Sequence, residues 1–301
     1  MKKQIALACS LAALAGTAHT AQAQSGEPQV QSYSLDIEAK VLTDRKNRGV
    51  SDTYNLPGAE LTMEAVHESG LVGYLQLGTV RKEIFPDTNG LQVTGAFGYR
   101  WGKSDGWHFG VGAAQEWFPG AKVNDAPTGI DWTTGAPTGV TNTKFDTTYA
   151  IFEFAYGVVE ARYLYVTSRD LRGNNTAIIC GSTYMPAVLA GGDPSKAIAC
   201  YGDGFHNSRG SQLLDVKTEH RLSGQTKLIG HIGFQKMRNF RDGDLFDYKF
   251  GVVHTRWGLD FGAEVAGARL RNRELAVVLD SGGNSKKVDR AALILSLAKR
   301  F

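Results

Sequence analysis

The chain has no apolar run long enough to cross a membrane as a helix, little proline or methionine, and almost no surplus of charge. Its 301 residues hold 8 Pro, 4 Met and 33 Lys plus Arg against 30 Asp plus Glu. A spanning helix needs roughly 18 uninterrupted apolar residues, and the only comparable stretch, Ile5 to Gly16, falls short of that. If the protein sits in a membrane, strands must cross it. The balance of charge excludes a nucleic-acid footprint, which is basic and clustered. Cysteine is scarce too, three in all.

What is present begins with Lys2 and Lys3, the apolar run, and the small-residue site Ala21-Gln22-Ala23. That layout is a secretory signal peptide over residues 1–23, which leaves 24–301 as one domain. Losing Lys2 and Lys3 leaves 31 basic residues against 30 acidic ones. Cys9 goes with the leader, because too little apolar sequence precedes it for a lipoprotein site. Cys180 and Cys200 remain, and in an exported chain such a pair reads as one disulfide. The loop it closes holds about twenty residues, worth about 3 kcal/mol in the chain-entropy description.

The mature chain is heavy in glycine, 36 residues, and in aromatics, with 11 Tyr, 14 Phe and 5 Trp. These suit packed strands and interfacial belts. Side chains alternate across a strand, and period-2 alternation recurs along the chain. Gln31 to Val41 sets Tyr33, Leu35, Ile37, Ala39 and Val41 against Ser34, Asp36, Glu38 and Lys40. Ala59 to Val66 and Leu71 to Thr79 repeat it, as do Leu91 to Trp101 and Trp107 to Trp117. Tyr149 to Tyr156, Val158 to Val166, Gln212 to Leu222, Lys227 to Gln235, Asp247 to Arg256 and Leu259 to Gly267 follow. The chain closes on Ala291 to Phe301, apolar on one face and ending in an aromatic that serves as a membrane-insertion signal.

That makes about twelve strands of near ten residues, the length a tilted membrane strand requires. Their connections alternate between turns of two to five residues and long segments. The long ones are Leu42 to Gly58, Val80 to Gly90, Phe118 to Asp146, Thr167 to Ser211, Lys236 to Leu245 and Ala268 to Asp289. Short periplasmic turns and long outer loops are the asymmetry of a transmembrane barrel. A soluble sandwich shares the side-chain alternation but not this alternation of loop length. The expected fold is therefore all-β, a single antiparallel barrel of about 12 strands in the outer membrane.

Several short runs carry a resemblance: Leu42-Thr43-Asp44, Arg48-Gly49-Val50-Ser51, Leu56-Pro57-Gly58-Ala59, and His67-Glu68-Ser69-Gly70 before an aliphatic and glycine strand. Over about the first third the chain resembles the TorF-type porin family. The resemblance implies an outer-membrane diffusion channel, with no solute or catalytic residue to carry over. The Cys-containing segment Thr167 to Ser211 departs from the family pattern.

Candidate pore-lining residues are Asp36, Glu38, Lys40, Glu60, Glu64, Arg100, Glu153, Glu160, Arg162 and Glu264, with Arg48 added from the first outer loop. Glycine at 49 permits a turn from which Arg48 could fold back to Glu38 or Glu64. Glu116, Asp215, Glu219 and Asp260 join the expected inner face, with Lys217, Arg221, Lys249 and Arg300. An excess of carboxylates favours cations in a wet pore. Interleaved signs could instead form ion-paired networks filling a narrow barrel. His206-Asn207-Ser208 has hydrolase residue types, but a triad is recognised by geometry and no acyl-hydrolase motif surrounds it. The reading is a passive channel for small hydrophilic solutes, not an enzyme, with no cofactor, metal or nucleic acid. Its partners are the outer-membrane bilayer and the barrel-assembly machinery. The alternatives are an adhesive barrel with a plugged lumen and, less favoured, an outer-membrane hydrolase. The strand pattern fixes no oligomeric state.

Overall fold

The computed structural model describes residues 33–102 and 106–301. The signal peptide expected over 1–23, Cys9 with it, and the first two residues of the expected opening strand lie outside the described residues. Twelve antiparallel strands close on themselves: β1 (Tyr33–Leu42), β2 (Gly58–His67), β3 (Leu71–Thr79), β4 (Leu91–Gly102), β5 (Trp107–Trp117) and β6 (Thr147–Tyr156), then β7 (Val159–Val166), β8 (Gln212–Arg221), β9 (Thr226–Lys236), β10 (Leu245–Arg256), β11 (Leu259–Leu270) and β12 (Ala292–Arg300). Each strand pairs with its neighbours in sequence, and β12 returns to β1 through Glu38 opposite Arg300 and Leu42 opposite Ser296. Closure removes the unpaired edges that would otherwise expose backbone donors and acceptors in lipid.

The outer surface is apolar. Phe97, Phe152, Phe250 and Leu293 are each more than half exposed. Near the turn end Tyr99, Trp101, Phe109, Phe154, Trp107 and Tyr156 run ring to ring across β4, β5 and β6, with centroids 4.6 to 6.2 Å apart. Such an aromatic band suits the interface between hydrocarbon and headgroups. Trp257 and Gly258, both at positive φ, make the tight turn that joins β10 to β11.

The long connections are structured. Loop 1 (43–57) contains a two-residue ladder, Lys46–Asn47 against Val50–Ser51, turned at Arg48 and Gly49 with φ of 48° and 70°. Loop 3 (118–146) is a hairpin of Lys122–Ile130 and Pro137–Lys144. Loop 4 (167–211) folds into three short helices, α1 (Thr176–Thr183), α2 (Met185–Leu189) and α3 (Ser195–Gly202). Asn175 caps α1 by accepting from the Ile178 amide, and its amide donates to Thr143 and Asp170. Cys180 on α1 and Cys200 on α3 are bonded. Two apolar clusters sit at the loop end. One joins Val166, Leu171, Ile179 and Leu213 to Tyr149, and the other joins Val80, Phe85, Phe118 and Phe145.

Candidate functional site

The lumen is organised in rungs, because strand register sets which inward side chains share a level. One rung runs Arg100, Gly110, Glu153, Arg162, Asp215, Gly233, Asp247 across β4 to β10. Arg100 donates to Glu153 at 2.6 Å and to Glu64 at 2.7 Å. Arg162 donates to Glu153 at 2.9 Å and to Glu160 at 2.8 Å. Glu153 is buried between the two guanidiniums. A second network joins Lys40 to Glu38 at 2.8 Å, with Arg300 reaching Glu38 at 3.1 Å and Asp260 at 3.4 Å. Lys249 pairs with Glu264 at 3.3 Å. Interleaved signs thus form ion pairs rather than a field of one sign. Among the expected residues Asp36 makes no ion pair within the described residues; it lies opposite Glu64 in the β1–β2 register.

Loop 1 crosses the lumen. Arg45 is buried near the loop end and donates to Asp52 at 2.9 Å, to Glu60 at 2.8 Å and to Gln92 on β4. Asp44 accepts from Ser51 and Thr53, which ties the loop to itself. Burial pushes the Lys46 ammonium below its usual value, against the pull of Asp44. At the far side the tip lies on β11, where Gly267 faces Gly49 so closely that a Cβ on Gly49 would collide with its carbonyl. The expectation that Arg48 folds back to Glu38 or Glu64 is not met. Arg48 donates to Asp215 on β8 at 2.6 Å and to the Phe234 carbonyl on β9 at 2.9 Å, and lies 3.4 Å from Asp247 on β10. The physical reason is the ladder: it carries the arginine past the axis to the opposite wall.

Loop 4 contributes Arg172, which the sequence did not single out. It donates to Asp52 at 2.8 Å, lies 3.6 Å from Glu116, and packs over the stacked rings of Phe85 and Phe118 at 5.0 and 5.1 Å. Burial opposes its charge, yet Asp52 and Glu116 together hold its proton more tightly than usual. Arg45, Asp52, Arg172 and Glu116 therefore form a seal between loops 1 and 4 and strand β5. No local pattern marks Arg45, Asp52 or Arg172. Asp247 could have been found by running the period-2 face of β10 back from Lys249 through its first two residues.

Below this seal is a cavity of about 480 Å³, bounded by Arg48 of loop 1 and by the inner faces of β2 through β8. Gly98, Gly110 and Gly112 leave one wall without side chains, and Ile151, Leu164 and Leu213 make an apolar patch. Asp215, His231 and Asp247 offer ligand atoms within 4.8 Å of one another. Arg48 already supplies the countercharge there, and Lys217 and Lys249 stand opposite His231 on both flanking strands. That ring of cations disfavours a metal ion. His206 and Ser208 do not meet: the Ser208 hydroxyl donates to the Asn174 carbonyl and accepts from the Leu171 amide, while His206 Nε2 lies 2.9 Å from the Asp203 carbonyl.

A closed antiparallel barrel with a polar, ion-paired interior and an apolar, aromatic-belted exterior is the architecture of outer-membrane barrel proteins. No protein-family model matches the chain, and neither does any curated protein. Solved structures do. The chain is similar to the KdgM porin in complex with disordered oligogalacturonate, at 5% identity and a TM-score of 0.43, over 89% of this chain and 97% of that one. It is similar to the NanC porin at 9% identity and a TM-score of 0.44, over 88% and 98%. It is similar to the translocator domain of the autotransporter NalP from Neisseria meningitidis at 14% identity and a TM-score of 0.37, over 89% and 88%.

Proposed function

We propose that the protein is an outer-membrane channel that passes small hydrophilic solutes down their gradient, of the kind its resemblance to the TorF-type porins implies. The observation that carries this reading is the cavity of about 480 Å³ inside a closed barrel, walled by charged groups that stay hydrated only if water enters. Residues 1–23 act as the export signal, the six long loops face outward, and Phe301 presents the C-terminal aromatic to the barrel-assembly machinery. The candidate pore-lining set of Asp36 to Glu264 then tunes which solutes pass. A second reading, a structural or adhesive barrel with a plugged lumen, is supported by the seal in which Arg172 closes on the buried pair Arg45 and Asp52.

Single-channel recording in a planar bilayer separates the two. Stable ohmic steps, altered when the Cys180–Cys200 bond is reduced, are the expected outcome. Silence under conditions where a control porin conducts would reject the channel. The ordered uses of Ser208 and His206 favour neither hydrolase group as a reacting one, and Ser208→Ala should leave any esterase background unchanged.

A further inference from the structure

Among the described residues the cavity is lined by one lysine whose charge no carboxylate meets. Lys217 on β8 lines it, and among the described residues its ammonium forms no ion pair. Its carboxylate neighbours are already engaged: Glu160, opposite it in the β7–β8 register, accepts from Arg162 at 2.8 Å, and Asp215 accepts from Arg48 at 2.6 Å. The other cations facing the cavity, Arg48, Arg100 and Arg162, each bind carboxylates of the barrel. Among the described residues that line the cavity, Lys217 is the lysine or arginine without an ion pair.

What lies beside it defines the rest of that visitor. Moving toward the loop end, the next rung of the same two strands is Arg162 opposite Asp215, and the one beyond is Leu164 opposite Leu213. Successive inward residues are about 7 Å apart along a strand, so the apolar patch begins about 13 Å from Lys217 at the backbone. Ile151, opposite Leu164, extends the patch on β6. An inorganic oxyanion would use the ammonium and leave the patch idle. An uncharged apolar solute would do the reverse. A volume of about 480 Å³ is within the range of pockets that hold small organic ligands.

We propose that this cavity is a binding station for a small organic carboxylate with an apolar body, Lys217 taking the carboxylate and Leu164, Leu213 and Ile151 the remainder. The proposal rests on the channel reading, for which it names the solute class. Lys217 is exposed within the lumen, so its ammonium is open to an anion that enters with water.

The test is open-channel block of the full-length, disulfide-intact protein by benzoate, with benzyl alcohol and inorganic phosphate as comparisons. Benzoate should reduce the current in a concentration-dependent way, and benzyl alcohol and phosphate should do so only at much higher concentration. Lys217→Gln should weaken the benzoate effect about tenfold or more, the loss of one charge-assisted hydrogen bond, and Lys217→Arg should retain it. Equal block of wild type and Lys217→Gln, no block by benzoate, or block by phosphate as strong as by benzoate would each overturn the assignment. If the folded barrel passes no current, the channel reading fails separately. Calorimetric titration of benzoate into the detergent-folded barrel, wild type against Lys217→Gln, then decides the station: binding that the variant loses upholds it, and no binding or equal binding ends it.

Discussion

Asp52 pairs with two guanidiniums, Arg45 at 2.9 Å and Arg172 at 2.8 Å, while almost wholly shielded from water. Removing one member of a buried ion pair leaves the other uncompensated, which is why such losses run to about 3 kcal/mol or more. Asp52→Asn is therefore expected to destabilise the folded protein by about 3 kcal/mol in urea titrations from detergent, with larger effect on loops 1 and 4 than on the strands. Arg48 is a different case, since it fixes the tip of a loop rather than its root. Arg48→Ala should free that tip from Asp215 and the Phe234 carbonyl and raise single-channel conductance. It should also shift the reversal potential toward cations, because Asp215 and Asp247 lose their countercharge. An unchanged conductance would mean that loop 1 does not lie on the permeation path. Neither role was legible from spacing: Arg48 was singled out for its turn, but its partners lie 167 and 199 residues away in sequence, and only the closed sheet brings them into reach.

Among the elements, loop 4 departs furthest from what alternation could suggest. Its length and cysteine pair are visible in the sequence, yet helices α1 to α3 arise from local capping and packing, with Asn175 buried at the start of α1 and Ile179 packed against Leu171 and Leu213. The disulfide ties α1 to α3 across 20 residues and contributes about 3 kcal/mol to the loop through the entropy of its open form. Neither cysteine lies on a barrel strand. Replacing Cys180 and Cys200 together by serine should leave the barrel heat-modifiable on gels while opening residues 167–211 to proteolysis. Loss of the folded barrel itself would contradict this division. The loop between β3 and β4 (80–90) and loop 3 behave similarly: Phe85, Phe118 and Phe145 close a small core of their own, and Arg172 joins it to loop 4.

For the whole molecule, closure is the decisive event. The β12 strand must find β1, nearly the full chain away, before the barrel has no edge, and Phe301 is placed at that seam, its amide donating to the Ile37 carbonyl at 3.0 Å while its ring stays exposed. An exposed terminal aromatic adds little to the folded state, so its deletion should act on assembly. Removing Phe301 is expected to reduce the amount of folded protein in the outer membrane of intact cells, while refolding in detergent proceeds to the same extent. A parallel loss in vitro would make the residue structural.

The strands, their inward and outward faces, the placing of the long loops and the pairing of Cys180 with Cys200 were all determined locally, because a period of two and a run of turn residues need no distant partner. Asp36, Glu38, Lys40, Glu60, Glu64, Arg100, Glu153, Glu160, Arg162 and Glu264 were assigned inward on that basis alone. What the tertiary structure decided is which of these charges cancel. Register across β4 to β10 and the inward course of loop 1 convert an apparent excess of carboxylates into paired networks, bury Arg45 and Asp52, and leave Lys217 without an ion pair among the described residues. The physical reason is range: alternation acts between adjacent residues, whereas pairs such as Arg48 with Asp215 and Arg172 with Asp52 form only where the closed sheet and its loops bring chain segments more than a hundred residues apart to within a few ångströms.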